Sequence, residues 1–379
     1  IIDGEIQMRA FYIIVLTITF ISIYSKTPAI EDLNIKYGAY IDTYIATDNN
    51  KLSPEEKALG INKKLRKFSS SDYIKNEFAI NVAQLSAKIS YGNNIRSLIV
   101  IHAGTLPEFS HGSFTPNIQQ AWVGYNFFEN IWLDVGYFLT HIGGEAYLPK
   151  DNWLTSHSMV TFFEPFYHAG VKVTYKDEFL TAGLHILNGN GIFEDNNDNK
   201  SLGAYLAYTT GEAFTISYAG IYGNEVMGSL VNSNMHMLHN ICIETHPSKS
   251  LGIKGQLDFA TLNIGIEDSE NKKNEGAFMG FSIQGRYLII EQLSGTVRFS
   301  YFNKLNAAYT SDFGKYDGIG LTGGIEYKPS ENSYIRLEGR MLNFDGPGDV
   351  NYFFHYFSNG DEFTNIRYEM MLNFAVWFE

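Results

Sequence analysis

Residues 130–139, NIWLDVGYFL, alternate. Ile131, Leu133, Val135, Tyr137 and Leu139 share one parity, and Trp132, Asp134, Gly136 and Phe138 share the other. A strand sends successive side chains to opposite faces, so this stretch predicts one apolar face and one mixed, partly charged face. The same pattern predicts sixteen strands, at 33–46, 76–91, 95–103, 118–127, 130–140, 166–175, 178–187, 200–209, 213–223, 235–245, 250–262, 277–289, 292–303, 316–328, 332–343 and 365–378. Most have the length that a tilted membrane strand needs, about 9–11 residues. The parity slips at 83–84 and near 260, which predicts bulges there. The stretch 95–103 is almost wholly apolar and does not declare its facing.

The predicted connections sort by length. GNN, FE, KD, TGE, HPSK, IE and PSE are tight, and they alternate with longer links, up to 29 residues after Ala46. Tight periplasmic turns alternating with long external loops are the habit of outer-membrane barrels, and an even strand number leaves both termini on the periplasmic side. The prediction is an all-β chain, closed into an antiparallel transmembrane β-barrel of about 16 strands with its apolar faces toward lipid. A soluble sandwich would show the same alternation but has no reason to sort its loops.

Composition supports this. Charged residues make up 18% and aromatics 15%, with 35 Gly against 9 Pro. That is less charge than the roughly 25% of soluble domains. A net charge of -13 without any basic run excludes nucleic acid as a partner. The one cysteine, Cys242, rules out an intrachain disulfide. Near the start, Met8 and Arg9 precede an apolar run from Ala10 to Ile23, too short to span a bilayer, and Ser25 follows. This predicts a secretory signal peptide with upstream residues over 1–25 and the barrel over 26–379.

The last strand, IRYEMMLNFAVWFE, puts Tyr368, Met370, Leu372, Phe374, Val376 and Phe378 on one face. It resembles the signal read by the barrel assembly machinery, an expected partner of residues 365–378, although Glu379 follows the aromatic. NEFAINVAQLSAKISY, WLDVGYFLTHIGGEAYLPKDNW, FFEPFYHAGVKVTY and HILNGNGIFEDNNDNKSLGAYLAYT resemble the OmpL-like β-barrel porin family. The resemblance runs from about Tyr37 to the C-terminus and is strongest between Trp132 and Thr209. It implies the outer membrane of a Gram-negative-type bacterium, with lipid and lipopolysaccharide around the barrel. It does not imply a particular solute.

If apolar parity faces lipid, the opposite parity lines the lumen. It includes Lys36, Asp42, Asp134, Lys254, Asp258, Arg286, Arg298, Glu326, Arg336, Glu338, Arg340, Arg367 and Glu369. Four arginines thus gather on adjacent strands, which suits a water-filled interior. The third long connection, from about His141 to Pro165, lacks alternation and carries Glu145, Asp151 and Glu164. Its Gly143 and Gly144 allow a sharp turn, and Tyr147, Trp153, Phe162 and Phe163 would let it pack inside the barrel. The expected pore sets Glu145, Asp151 and Glu164 across an open gap from Arg286, Arg298, Arg336 and Arg340.

No cofactor or metal is expected. EDNNDN at 194–199 lacks the Gly and distant Glu of an EF-hand loop, and His236 and His239 fall on opposite faces of a strand. HGS at His111–Ser113 offers no Ser-His-Asp arrangement. The expected function is a passive outer-membrane porin for small hydrophilic solutes, not an enzyme, with a homotrimer left open. Two rivals remain. One is a surface adhesin or structural anchor with a plugged lumen. The other is an outer-membrane phospholipase, for which no nucleophile and base come together.

Overall fold

The first and last strands of this chain are neighbours. β1 (Leu33–Asp48) pairs with β2 (Phe78–Tyr91) on one side and with the final strand, β18 (Ile366–Phe378), on the other, so the sheet closes on itself. The computed structural model describes residues 32–49, 66, 69, 72–110, 117–195, 199–224, 235–267, 273–304, 316–345, 356–359 and 362–379. The expected signal peptide, the HGS stretch at 111–113 and residues 196–198 of EDNNDN lie outside the described residues.

Around the ring come β3 (Ile95–Ala103), β4 (Ile118–Phe128), β5 (Ile131–Leu139), β6 (Tyr167–Lys176), β7 (Leu180–Leu187) and β8 (Ser201–Thr210). β9 (Phe214–Asn224), β10 (Met235–Ser248), β11 (Leu251–Glu267), β12 (Lys273–Ile290), β13 (Leu293–Lys304), β14 (Tyr316–Tyr327) and β15 (Ser333–Asp345) complete it. Every pairing is antiparallel, each strand with its sequence neighbours, apart from the closing β1–β18 pair and the β15–β18 pair that skips a small hairpin. A closed sheet of sixteen strands leaves no backbone edge for lipid to meet, which is what a membrane demands. The hairpin of β16 (Tyr356–Asn359) and β17 (Glu362–Thr364) and the short helix α1 (Thr105–Ser110) stand outside the barrel sheet, on long connections. Among the described residues no helix is long and apolar enough to cross a membrane; this chain crosses with strands.

Three sequence expectations change in detail. The link between β11 and β12, residues 268–272, is no longer than the turn at 328–332, because both strands continue past their predicted ends. The strict sorting of loops therefore loosens at that one link. The bulge expected at 83–84 lies at Asn81, where the β1 partner passes from Val82 to Ile80. Asn81 and Val82 consequently both turn inward and are fully buried. The slip expected near 260 does not fall at Ala260, which pairs in unbroken register with Leu238 and Phe278; the β11–β12 register shifts instead between Ile264 and Glu267.

The outer face is apolar. Val135, Leu184, Ile186, Val297 and Phe374 are exposed, and Ile131, Leu133, Phe299 and Leu372 on the same parity are half-exposed. Tyr125, Phe127, Tyr327 and Phe378 are also exposed and, with Tyr175, sit near the short turns, where an aromatic girdle would meet the headgroups. Inside, Asp42 closes the seam. Its Oδ2 accepts from the Tyr334 hydroxyl at 2.8 Å and the Tyr40 hydroxyl at 3.0 Å, and its Oδ1 from Asn373 Nδ2 at 3.3 Å.

Candidate functional site

The connection between β5 and β6, residues 140–166, runs along the inner wall. It reaches the short-turn end of the barrel at Lys150, whose Nζ lies 2.8 Å from Glu379 Oε1, and then returns. Along this path it is held by β13 and β15. Arg336 donates to the carbonyls of Pro149 at 2.8 Å and Asn152 at 2.6 Å. Glu338 accepts from the backbone of Thr155 and from Ser156, N at 3.2 Å and Oγ at 2.8 Å. Arg298 donates to the carbonyls of Ser156 at 2.5 Å and His157 at 3.1 Å, and to Glu145 Oε1 at 2.6 Å. Farther up, Met159 occupies space that a side chain on the wall would need: a Cβ at Gly318 would stand 2.3 Å from its Cε.

The loop carboxylates differ. Burial alone would raise the Glu145 carboxyl, but the Arg298 guanidinium and donors on Ser158 and Thr161 hold it down at about 2. Burial and the facing Asp258 carboxyl raise Glu164 well above the usual range, with Gln256 Nε2 donating to it at 2.6 Å. Asp151 is exposed, 3.1 Å from Lys150 Nζ.

The open gap of opposed charges is therefore absent. Glu145 and Arg298 are in direct contact. Arg336 is paired with Glu326 at 2.6 Å, and Arg286 reaches the same carboxylate at 2.5 Å. Arg340 lies 3.4 Å from Glu369, which also binds Arg66 from the β1–β2 connection. These arginines are buried, except the partly exposed Arg286; water does not separate them from their partners. Bare charges facing across a gap would leave each needing solvent, and folding the loop onto the wall satisfies both.

Part of the long-loop half of the lumen is a dry apolar cluster, and another part holds the buried charges Arg66, Asp72, Arg340, Arg367 and Glu369. Phe138, Leu187, Ile221, Leu238, Phe278, Phe302, Leu342 and Phe344 all point inward and pack with Ile142, Met159 and Val160 of the loop. Sequence parity placed these positions on the lumen side but carried no sign that apolar side chains would meet there.

The opposite side of the lumen stays open toward the short turns. A cavity of about 480 Å³ lies between the loop and β5–β11, lined by His141, Glu145, Asp151, Lys172, Thr174, His185, Tyr205 and Lys254 among others. A second, of about 460 Å³, opens at the short turns and is lined by Asn93, Arg96, Asn126, Trp132, Thr174 and Lys176 among others. Thr174 belongs to both walls. Between Arg96 of the outer cavity and Lys172 of the inner one, Asp134 is not a bare lumen carboxylate. It is fully buried, bound by Arg96 Nε at 2.9 Å and Nη2 at 2.7 Å, with Lys172 Nζ at 3.8 Å. Arg96, Trp122, Trp132 and Lys172 were not singled out from the sequence. The available signal was one arginine within the largely apolar 95–103.

Among the described residues no three His, Cys, Asp or Glu side chains gather as metal ligands would. His236 turns inward and His239 outward, where the Tyr218 hydroxyl lies 2.8 Å from its Nδ1.

The sequence that forms this barrel matches a known family. The family described as "Putative beta-barrel porin-2, OmpL-like" matches residues 34–378. The chain belongs to that family. No curated protein matches it. Solved structures with the same fold include the outer-membrane channel DcaP of Acinetobacter baumannii, at 10% identity, TM-score 0.60, covering 92% of this chain and 99% of that one. OmpT, an outer membrane protein of Vibrio cholerae, matches at 12% identity and TM-score 0.58, over 93% of this chain and all of the other. An anion-selective porin from Comamonas acidovorans matches at 9% identity and TM-score 0.56, over 91% and 100%. At such identities the likeness shows fold alone. This porin-family member is a transmembrane β-barrel of the outer membrane.

Proposed function

We propose that this family member is a non-enzymatic diffusion channel, passing small hydrophilic solutes along the crescent between the β5–β6 loop and the wall of β3–β11. The observation that carries this reading is the pair of cavities, about 460 and 480 Å³, that share Thr174 and open at the short-turn end. Their lining sets polar and charged groups such as Arg96, Lys172 and Lys254 beside apolar ones such as Trp132 and Phe138, and the polar groups suit a water-filled path. The path ends at the dry cluster, so full passage needs the loop to shift, with Gly143 and Gly144 at its root supplying the freedom. Lipid and lipopolysaccharide surround the barrel, and the assembly machinery reads residues 365–378. A homotrimer is in keeping with the trimer form recorded for OmpT of Vibrio cholerae.

One observation favours a second reading. The dry cluster spanning from Phe138 to Phe344 would suit an anchor or adhesin with a permanently plugged lumen. Conductance of the purified protein in a planar bilayer separates the two. Channels with stepwise openings support diffusion. A silent barrel, correctly folded, supports the anchor and overturns the channel. Hydrolysis of the lipid would overturn both.

A further inference from the structure

Arg96, which lines the outer cavity, and Lys172, which lines the inner one, belong to one row of positions across four strands. Register places Arg96 of β3 beside Gly124 of β4, Gly124 beside Asp134 of β5, and Asp134 beside Lys172 of β6. All four positions point inward. Gly124 has no side chain, so Arg96 lies across it and reaches Asp134; a Cβ there would stand 2.1 Å from Asp134 Oδ1 and 3.0 Å from Arg96 Cγ. Two cations therefore converge on one carboxylate.

The charge shown to water at this row is positive. The Asp134 side chain is 1% exposed, against 30% for Arg96 and 22% for Lys172. Both Asp134 oxygens are already engaged, since Oδ1 and Oδ2 each accept from one Arg96 nitrogen and Lys172 Nζ stands 3.8 Å from Oδ2. The Arg96 Nη1 edge and the remaining hydrogens of Lys172 have donor capacity left over. Both cations also rest on aromatic rings. Arg96 lies 4.0 Å from the Trp132 ring centroid, and Lys172 lies 5.5 Å from that of Trp122 and 4.7 Å from that of Phe138. Rings restrict the rotation of both cations and remove part of their water, which strengthens any pairing with an incoming anion. Trp122 and Trp132 are half-buried, so each has surface left for an apolar body.

We propose that this row is a binding subsite for small organic carboxylates. The carboxylate takes donors from Arg96 and Lys172, and a short apolar body lies against Trp122 and Trp132. A solute moving between the cavities passes Thr174, the neighbour of Trp132 in the β5–β6 register, so the subsite lies on the proposed path. The inference rests on the diffusion reading for its role, though not for its binding chemistry. Lys176 adds positive charge at the mouth and Glu129 negative charge. Lys254 in the inner cavity is engaged by Glu244 at 2.9 Å.

Binding is measurable without conductance. The chain has four tryptophans, and two of them are in this row's wall, so intrinsic fluorescence reports on the site. Titration of the detergent-folded protein with benzoate is expected to give a saturable change that weakens with added salt. Benzylammonium, of similar body and opposite charge, is expected to give none. Lys172→Gln should weaken benzoate at least fivefold, and Lys172→Arg should restore most of the affinity. Heat-modifiable gel mobility confirms that each variant is folded. A linear, unsaturating response to benzoate, equal binding of both probes, or unchanged affinity in folded Lys172→Gln overturns the proposal. Saturable binding to a barrel that is silent in bilayers would instead sink the diffusion reading and leave the subsite standing.

Discussion

Glu145 and Arg298 meet at 2.6 Å, although 153 residues separate them in sequence. Their contact ties the β5–β6 loop to the wall, and neither group sees bulk water. Removing one partner of a buried pair typically costs about 3–5 kcal/mol, because the other is left charged without compensation. Arg298→Met is expected to release the loop rather than unfold the barrel, whose sheet hydrogen bonds do not depend on it. Single-channel conductance should rise and the closed intervals shorten. Unchanged conductance in a folded variant would show that the loop does not bound the path.

Gly124 is where Arg96 crosses to Asp134. Gly124→Ala should push the guanidinium off its carboxylate, with a destabilisation of about 1–3 kcal/mol from overpacking. Urea unfolding in vesicles reads the stability and benzoate binding reads the site. Loss of neither would mean that the wall relaxes around a methyl group at no cost.

Glu164 sets an alkaline limit. Burial and Asp258 raise its carboxyl well above the unfolded value, so its docked form is at full strength below the ordinary carboxylate range and weakens as pH rises through the raised value. Glu164→Gln keeps the shape and removes the charge. The variant should gain stability over the parent at pH 9 and little at pH 5. Equal gains at both would rule out ionisation as the cause. Glu145 has the opposite sign. Held at about 2, it contributes above the ordinary range and fails only as pH falls toward that value.

Val135 is 44% exposed on the outer wall. Val135→Arg should cost about 2–4 kcal/mol of folding into bilayers if this position lies near the midplane. A negligible change would place Val135 at a headgroup or in a protein contact.

Some lumen contacts were within reach of the sequence and others were not. Arg336 and Glu326 are direct partners across the β14–β15 turn, so a short hairpin and strand parity are enough to bring them together. Arg298 and Glu145 have no such local link. Nor does a loop without alternation state whether it caps the mouth or enters the lumen.

What the sequence determined by itself is the wall. Lipid on one side and a two-residue period along each strand leave a readable imprint: sixteen strands, their facing, and closure of β1 on β18. The lumen has no such imprint, because inward parity is the same for Arg298, which binds the loop, and for Phe302, which packs in a dry cluster. Whether an inward position meets water, a counter-ion or another ring depends on what the loop brings to it from far along the chain. Only the tertiary structure decided that, since burying the loop's carboxylates required guanidinium partners that sequence distance conceals.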